Sequence, residues 1–262
     1  MQPKLLIIAG SDSCGGAGLQ ADIKTATVNN VYSASVVTSL TAQNTQKVHS
    51  IFDVPVDFLR KQIDVVMDDI NFDAIKIGML STEEIIDCVA SALKSKFKKI
   101  PIVLDPVMVA TSGDILLRKD AIEALQKKLI SKAKIVTPNI DEAQILADMK
   151  IRNLSDMREA CHAIKSFGCE AVLIKGGHLN FADGKINSLL LDAEDDFYMI
   201  SNKKIVTKNI HGTGCTLASA IAANIAKKID LVNAVKKANN YVYQCVASNI
   251  KAGKGSLVLQ HW

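Results

Sequence analysis

The stretch from Asn209 to Ala223, NIHGTGCTLASAIAA, sets two glycines, Gly212 and Gly214, directly before a run of small and apolar residues with strong helix character. A glycine turn of this kind opens into a helix N-terminus, whose first N–H groups have no internal partner and whose aligned peptide dipoles concentrate roughly half a positive charge there. A phosphate, or a negative charge that develops during a reaction, is stabilised at such an end, and glycine lets the backbone come close to it. Cys215 lies in the same turn, where the helix end favours thiolate over thiol. The spacing therefore predicts an anion site with an activated sulfur beside it.

Such a site needs a frame, and the rest of the chain supplies the pattern of one. Leu5 to Ala9 reads as a buried strand ending at Gly10. The glycine-rich loop SDSCGGAG (Ser11 to Gly18) follows, then a helix from about Leu19 to Asn30. Strands are predicted at Ser35 to Ala42, at the edge near Lys47 to Val54, and at Ala74 to Ile77, Ile102 to Leu104, Lys134 to Val136 and Ala171 to Ile174. Helical patterns lie between them: Val56 to Ile70, one opened by Ser81 as N-cap, Lys119 to Leu129, Asp141 to Ala147 and Asp156 to Phe167. A hairpin about the Asp-rich turn Asp192 to Asp195, with Asp192 to Asp196 expected to be solvated, the glycine-led helix and a last helix, about Leu231 to Ile250, close the chain. Strands and helices alternating this often imply one domain over residues 1–262, with a mostly parallel sheet covered by helices on both faces. Ligands of such sheets bind beyond the C-terminal strand ends. That rule gathers Asp22, Gln43, Met79, Asp105, Asn139 with Glu142, Lys175 and the Gly212 turn on one rim, which reads as a phosphate-transfer site.

Two familiar phosphate loops are excluded. A Walker loop requires a Gly-Lys pair where the chain has Gly15-Gly16. Gly16, Gly18 and Ala21 fit a dinucleotide pattern, but they lie past the strand end, and the next strand delivers no acidic residue to hold a ribose. The glycine loop is instead expected to be short and flexible and to leave an open small-molecule site above the first strand. The net charge of +4, spread without a basic block, argues against nucleic acid or a membrane surface as partner. Six cysteines without C-x-x-C spacing suit reduced thiols in a cytoplasmic protein. Those other than Cys215 are expected to be buried packing groups, and His178 and His211 to be loop hydrogen-bonders. The first ten residues are too short and too soon interrupted by Ser-Asp-Ser for a secretory signal.

The segments AGSDSCGGAGLQADIKT, TAQNT, KIGML, VLDPVM, TPNIDEA, KGGH and TKNIHGTGCT, in this order over nearly the whole chain, resemble the hydroxymethylpyrimidine/phosphomethylpyrimidine kinases of thiamine biosynthesis. The resemblance implies a three-layer α/β/α ribokinase-like fold and a homodimer. It implies ATP-dependent phosphorylation of 4-amino-5-hydroxymethyl-2-methylpyrimidine and then of its monophosphate. It places the pyrimidine against Gly10, Ala17, Asp22, Gln43 and Met79. Many members carry glutamate where this chain has Gln43, whose amide pairs with an aminopyrimidine edge without charge.

The mechanism expected on this basis is in-line transfer of the ATP γ-phosphoryl group. Gly212, Thr213 and Gly214 offer N–H donors, Lys175 neutralises phosphate charge, and Asn139 lies at the nucleotide. Asp105 and Glu142 hold Mg2+ through oxygen or water, and Cys215 takes the hydroxyl proton. Most ribokinase-like sugar kinases have aspartate in place of Cys215, which argues against a sugar substrate. A pyridoxal kinase of the same fold and a non-catalytic ligand-binding protein are the alternatives.

Overall fold

β1 (Lys4–Asp12) runs through the middle of the molecule, and its side chains show how the layers form. Leu6 and Ile8 pack into one apolar cluster, Leu5 and Ile7 into another on the opposite face, and all four are fully buried. A strand buried on both faces needs a continuous apolar run rather than alternation, which is what Leu5 to Ala9 provides. The computed structural model describes residues 2–96, 100–108, 116, 119–178, 184–207 and 209–262.

The remaining strands of the main sheet are β2 (Tyr32–Gln43), β3 (Val48–Asp53), β4 (Ala74–Ile77), β5 (Ile102–Leu104), β6 (Ile135–Val136), β7 (Val172–Ile174), β8 (Lys185–Leu191) and β9 (Phe197–Lys203). They form a nine-stranded sheet in the order β3-β2-β1-β4-β5-β6-β7-β8-β9. β2, β1, β4, β5, β6 and β7 are mutually parallel, while β3 and β8 run against their neighbours. On one face lie α1 (Gly18–Val28), α7 (Thr213–Ala226) and α8 (Leu231–Ala247). On the other lie α2 (Val56–Asp69), α3 (Glu83–Lys96), α4 (Lys119–Lys128), α5 (Ile140–Ala147) and α6 (Leu154–Lys165). This is the three-layer α/β/α arrangement expected, with a mostly parallel central sheet. The chain steps from β1 to β2 by way of α1, then from β4 to β7 in the opposite direction with helices on the other face, as the right-handed crossover rule demands. The direction changes between β1 and β4, and such a switch point leaves a crevice above the strand ends.

Several local readings need correction. The N-cap of α3 is Thr82, whose hydroxyl lies 3.4 Å from the N–H of Ile85, whereas the Ser81 hydroxyl donates to Asp53. The Asp192 to Asp195 turn is not simply solvated: Asp192 is buried, its Oδ1 accepts from the N–H groups of Glu194 and Asp196, and the Lys165 ammonium docks on its carbonyl. Cys14 is only half-buried, unlike Cys88, Cys161, Cys169 and Cys245, which are buried free thiols as expected. α8 ends at Ala247, short of the expected Ile250. The sequence reading also missed a small parallel pair, β10 (Ile210–His211) with β11 (Leu257–Val258), which ties the C-terminal segment to the approach of α7. No described helix is long and apolar enough to cross a membrane.

Candidate functional site

α7 begins at a residue only glycine can be. Gly212 is its N-cap with φ of 87°, and a Cβ there would stand 1.9 Å from the carbonyl oxygen of Gly16. No side chain caps this end. The first intrahelical bond runs from the N–H of Thr216 to the Gly212 carbonyl at 3.0 Å. The N–H groups of Thr213, Gly214 and Cys215 therefore stand ahead of the helical ladder, and all three residues line a cavity of about 650 Å³ above the strand ends. A Cβ on Gly214 would lie 3.2 Å from Lys175 Nζ and 3.7 Å from Asp105 Oδ2, so a cation and a carboxylate converge on the same turn.

Lys175 follows β7 and donates to Asp105 Oδ1 at 2.8 Å, with Glu142 Oε2 at 3.8 Å. Asp105, one residue past β5, also accepts from the Thr137 hydroxyl at 3.1 Å. Glu142 is held by a reciprocal cap of α5: the Asn139 N–H donates to Oε2 at 2.7 Å, and the Glu142 N–H donates to Asn139 Oδ1 at 2.9 Å. Burial pushes the Glu142 carboxyl up to about 7 against the opposing pull of Lys175. Burial also works against the Lys175 ammonium, but Asp105 and Glu142 outweigh it and hold Lys175 above the ordinary lysine value.

The opposite wall is the glycine loop, whose own backbone N–H groups bond to the Asp12 carboxylate. Burial works against the Asp12 charge, yet His211 and the backbone N–H groups around it hold the carboxyl below its ordinary value. That carboxylate accepts from the N–H groups of Cys14 at 2.9 Å, Gly16 at 3.0 Å and Ala17 at 2.8 Å, with His211 Nε2 at 3.1 Å. Gln43 ends β2, with its amide nitrogen 2.9 Å from His211 Nε2 and its Oε1 accepting from Thr41 at 3.2 Å. Met79, fixed by the Thr38 hydroxyl on its carbonyl, abuts Gly10, where a Cβ would meet its sulfur at 3.0 Å.

Gly10, Ala17, Gln43 and Met79 thus share the cavity with Asp105, Asn139, Glu142 and Lys175. Asp22 does not reach it. Its side chain is fully buried beneath the floor, where Oδ2 takes a bond from Lys76 at 2.7 Å and Oδ1 one from the Ser219 hydroxyl at 2.7 Å, so an expected substrate contact becomes a buried support. Lys76 itself was missed, although a lysine inside the apolar strand Ala74–Ile77 was the signal for it. Asp12 was missed because its work is done on backbone N–H groups of its own loop. The expected lowering of Cys215 is reversed. Burial pushes its thiol up to about 12, Lys76 opposing while Asp22 and Asp105 add to the rise. The His178 side chain lies outside the described residues.

The family model described as phosphomethylpyrimidine kinase matches residues 12–260. The chain belongs to the phosphomethylpyrimidine kinase family. Among its relatives is the hydroxymethylpyrimidine/phosphomethylpyrimidine kinase of Rhizobium meliloti, 43% identical over 260 residues, covering 98% of this chain and 96% of that protein. Among solved structures, phosphomethylpyrimidine kinase from Clostridium difficile aligns with a TM-score of 0.81 at 39% identity, covering 94% of this chain and 100% of the other. An ADP complex of Bacillus subtilis pyridoxal kinase aligns with a TM-score of 0.90 at 32% identity, covering 100% of this chain and 98% of that one. Membership makes the chain a phosphotransferase on a ribokinase-like fold.

Replacing Gly212 with alanine drives a methyl group into the Gly16 carbonyl and forces a left-handed φ on a residue with a side chain. Gly212→Ala should abolish phosphoryl transfer. Gly177→Ala, at a cavity-lining glycine with no heavy atom within 4 Å of its added Cβ, should stay within about threefold of wild type. Comparable kcat for wild type and Gly212→Ala would show that the α7 turn is not the transfer site.

Proposed function

We propose that the chain is a cytoplasmic, single-domain kinase that transfers the γ-phosphoryl group of ATP to the hydroxyl of 4-amino-5-hydroxymethyl-2-methylpyrimidine and then to the resulting monophosphate. The observation behind this reading is the uncapped start of α7 with Lys175 and Asp105 drawn in on Gly214. Phosphoryl transfer asks a protein mainly for positioning and charge stabilisation, and this turn offers fixed N–H donors beside a cation. The Thr213, Gly214 and Cys215 N–H groups would hold the equatorial oxygens while Lys175 offsets their charge. The attacking oxygen bonds to phosphorus, the bridging bond to ADP breaks, and the hydroxyl proton leaves to Cys215 sulfur in its ionised form.

Asp105 and Glu142 suit Mg2+. Both are hard oxygen donors, and a cation bound at phosphates takes one or two carboxylates and keeps waters, in line with the absence of a three-ligand His/Cys/Asp/Glu group among the described residues. Glu142, pushed toward neutrality by burial, is a group whose charge a bound cation would restore. Mg2+ would supply further neutralisation of the phosphates.

The pyrimidine would lie between Gly10, Ala17 and Met79. The Gln43 amide, which borders the cavity, offers an N–H donor and an oxygen acceptor to an aminopyrimidine edge. The pyridoxal alternative is favoured by one observation, the closer backbone match to a pyridoxal kinase. The exposed apolar residues Leu40 and Phe52, cross-strand partners on β2 and β3, together with Phe58 at the start of α2, support a homodimer through this edge.

Three outcomes test the reading. A thiol that ionises near 12 gains thiolate about tenfold per pH unit below that value. Log kcat should therefore rise with a slope near one from pH 7 to 9. Cys215→Ala should lose that slope along with about 10²- to 10⁴-fold in kcat, and a flat wild-type profile would remove Cys215 as the base. Incubation with excess Mg-ATP, followed by mass spectrometry, should give pyrimidine monophosphate and then diphosphate, with pyridoxal turned over far more slowly; a product that stops at the monophosphate, or a preference for pyridoxal, favours the vitamin B6 reading. Light scattering should return a dimer that Phe52→Glu dissociates, and a monomeric wild type would end the dimer assignment.

A further inference from the structure

Lys76 has no part in the mechanism above, yet its position is costly. β4 is buried along its whole length, and strand alternation turns Ile75 and Ile77 to one face and Ala74 and Lys76 to the other, under α1 and α7. Lysine is almost never fully buried without a partner, and here both Lys76 and Asp22 show no exposure, with 2.7 Å between Nζ and Oδ2. A buried ion pair rarely improves on apolar residues of the same volume. Its presence at the centre of the sheet asks for a reason other than stability.

The surroundings supply one. Nζ fills the space a Cβ on Gly78 would need, 2.7 Å away, so the glycine after β4 makes room for the ammonium. Lys76 borders the cavity together with Cys215, Gly10 and Met79. An ammonium has three N–H donors, and among the described residues Asp22 is the acceptor the structure gives it. Asp22 is fixed on its far side by Ser219, one helical turn after Cys215, so Cys215 and Ser219 share the face of α7 turned to this pair. The charged groups about the sulfur are Lys76 on β4, Asp22 on α1, Asp105 after β5 and Lys175 after β7.

We propose that Lys76 is a positioning residue that acts through Cys215: a fixed positive charge beneath the cavity floor that stabilises the sulfur as an anion, with Asp22 and Ser219 setting where that charge stands. This rests on the kinase reading of the site. Burial opposes the charge on Lys76, but Asp22, then Cys215 and Asp105, outweigh it and keep the group protonated above the ordinary lysine range. The charge is therefore present throughout the working pH range. Lys76 is also the foremost influence drawing the Cys215 thiol down against its burial.

The test compares the full-length wild type with Lys76→Met and with the double variant Lys76→Met/Asp22→Asn. The single change leaves a buried carboxylate without a partner; the double change removes both charges at near-constant volume, a replacement buried pairs tolerate, and it separates the loss of the ammonium from the strain of an unpaired carboxylate. Iodoacetamide labelling of Cys215 is followed by peptide mass spectrometry between pH 7 and 10 without substrates. Cys14, half-buried on the glycine loop and influenced by Asp12 and Lys24 instead, serves as the internal reference. Loss of the ammonium in Lys76→Met should lower the Cys215 to Cys14 labelling ratio at a given pH by about tenfold, one pKa unit being a factor of ten. The double variant, which also loses the Asp22 carboxylate that raises the thiol, should lower it by less, Lys76 being the larger of the two influences. The kcat should fall by a similar factor while the KM for ATP stays within about twofold. A ratio in Lys76→Met that is unchanged or raised, or a double variant that falls further than Lys76→Met, overturns the proposal whatever happens to kcat. A merely structural loss loosens the floor and exposes the sulfur, and loss of Asp22 should offset part of the fall rather than add to it. Labelling needs no turnover, so this outcome is separate from failure of the kinase reading, which would appear as no ADP release by the wild type.

Discussion

One carboxylate holds the two walls of the site together. Asp12 gathers the N–H groups of Cys14, Gly16 and Ala17 on its two oxygens and faces His211 from the other side. A glycine-rich loop has the largest conformational entropy to lose on ordering, and several charge-assisted bonds from its own backbone are an effective way to offset it. The loop so fixed presents the Gly16 carbonyl to Gly212 at a separation that admits no side chain. His211 is the residue just before Gly212, so the Asp12–His211 contact joins the acceptor loop to the anion-binding turn. The spacing between the glycine loop and the α7 turn is thus set by one short carboxylate, one imidazole and close backbone approach.

Electrostatics on the far side of the cavity follow from burial. Asp105 and Glu142 are withdrawn from water and Lys175 largely so, with the ammonium within reach of both carboxylates. Burial is the main cause that raises Glu142 toward neutrality, with Asp105 adding to it against Lys175, while Asp105 and Glu142 hold Lys175 protonated. Under the proposed function, a cation arriving with the nucleotide phosphates would offset the crowding of carboxylates. On the same reading, such a site would suit a ligand that carries both a metal and an anion, with the uncapped helix end as the complementary positive field for the anion.

The parts legible in the sequence were those written in local pattern. Apolar runs and turn residues gave the strand order of events, and Ala74 to Ile77 and Ile102 to Leu104 coincide with β4 and β5. The strand-end rule brought Gln43, Met79, Asp105, Asn139, Glu142 and Lys175 to one rim because it needs only topology. What stayed hidden depends on direction and depth. Asp22 points from α1 into the sheet rather than up to the cavity, a difference of helical phase that strand-end reasoning does not see. The Cys215 reading used the helix end and left out desolvation, which is the larger effect. β10 and β11 are two residues each and pair across the C-terminal segment, too short to leave a periodic signal.

The distribution of buried charge also bears on whether the fold is used for binding alone. A protein that only encloses a small molecule gains from an apolar cavity with a few neutral polar groups. This chain instead removes Lys76, Asp22, Asp105 and Glu142 almost wholly from water within one region, and places Lys175 at the edge of it. Each burial opposes stability, and apolar replacements would pack the same volume at lower cost. Such local conflicts with foldability are expected where the charges serve a reaction, since fixed charges in a water-poor site stabilise a changing charge distribution without reorganising. Their arrangement fits that purpose: one pair lies beneath the sulfur, the other group lies opposite the helix end, and the reacting oxygen and phosphate would sit between them.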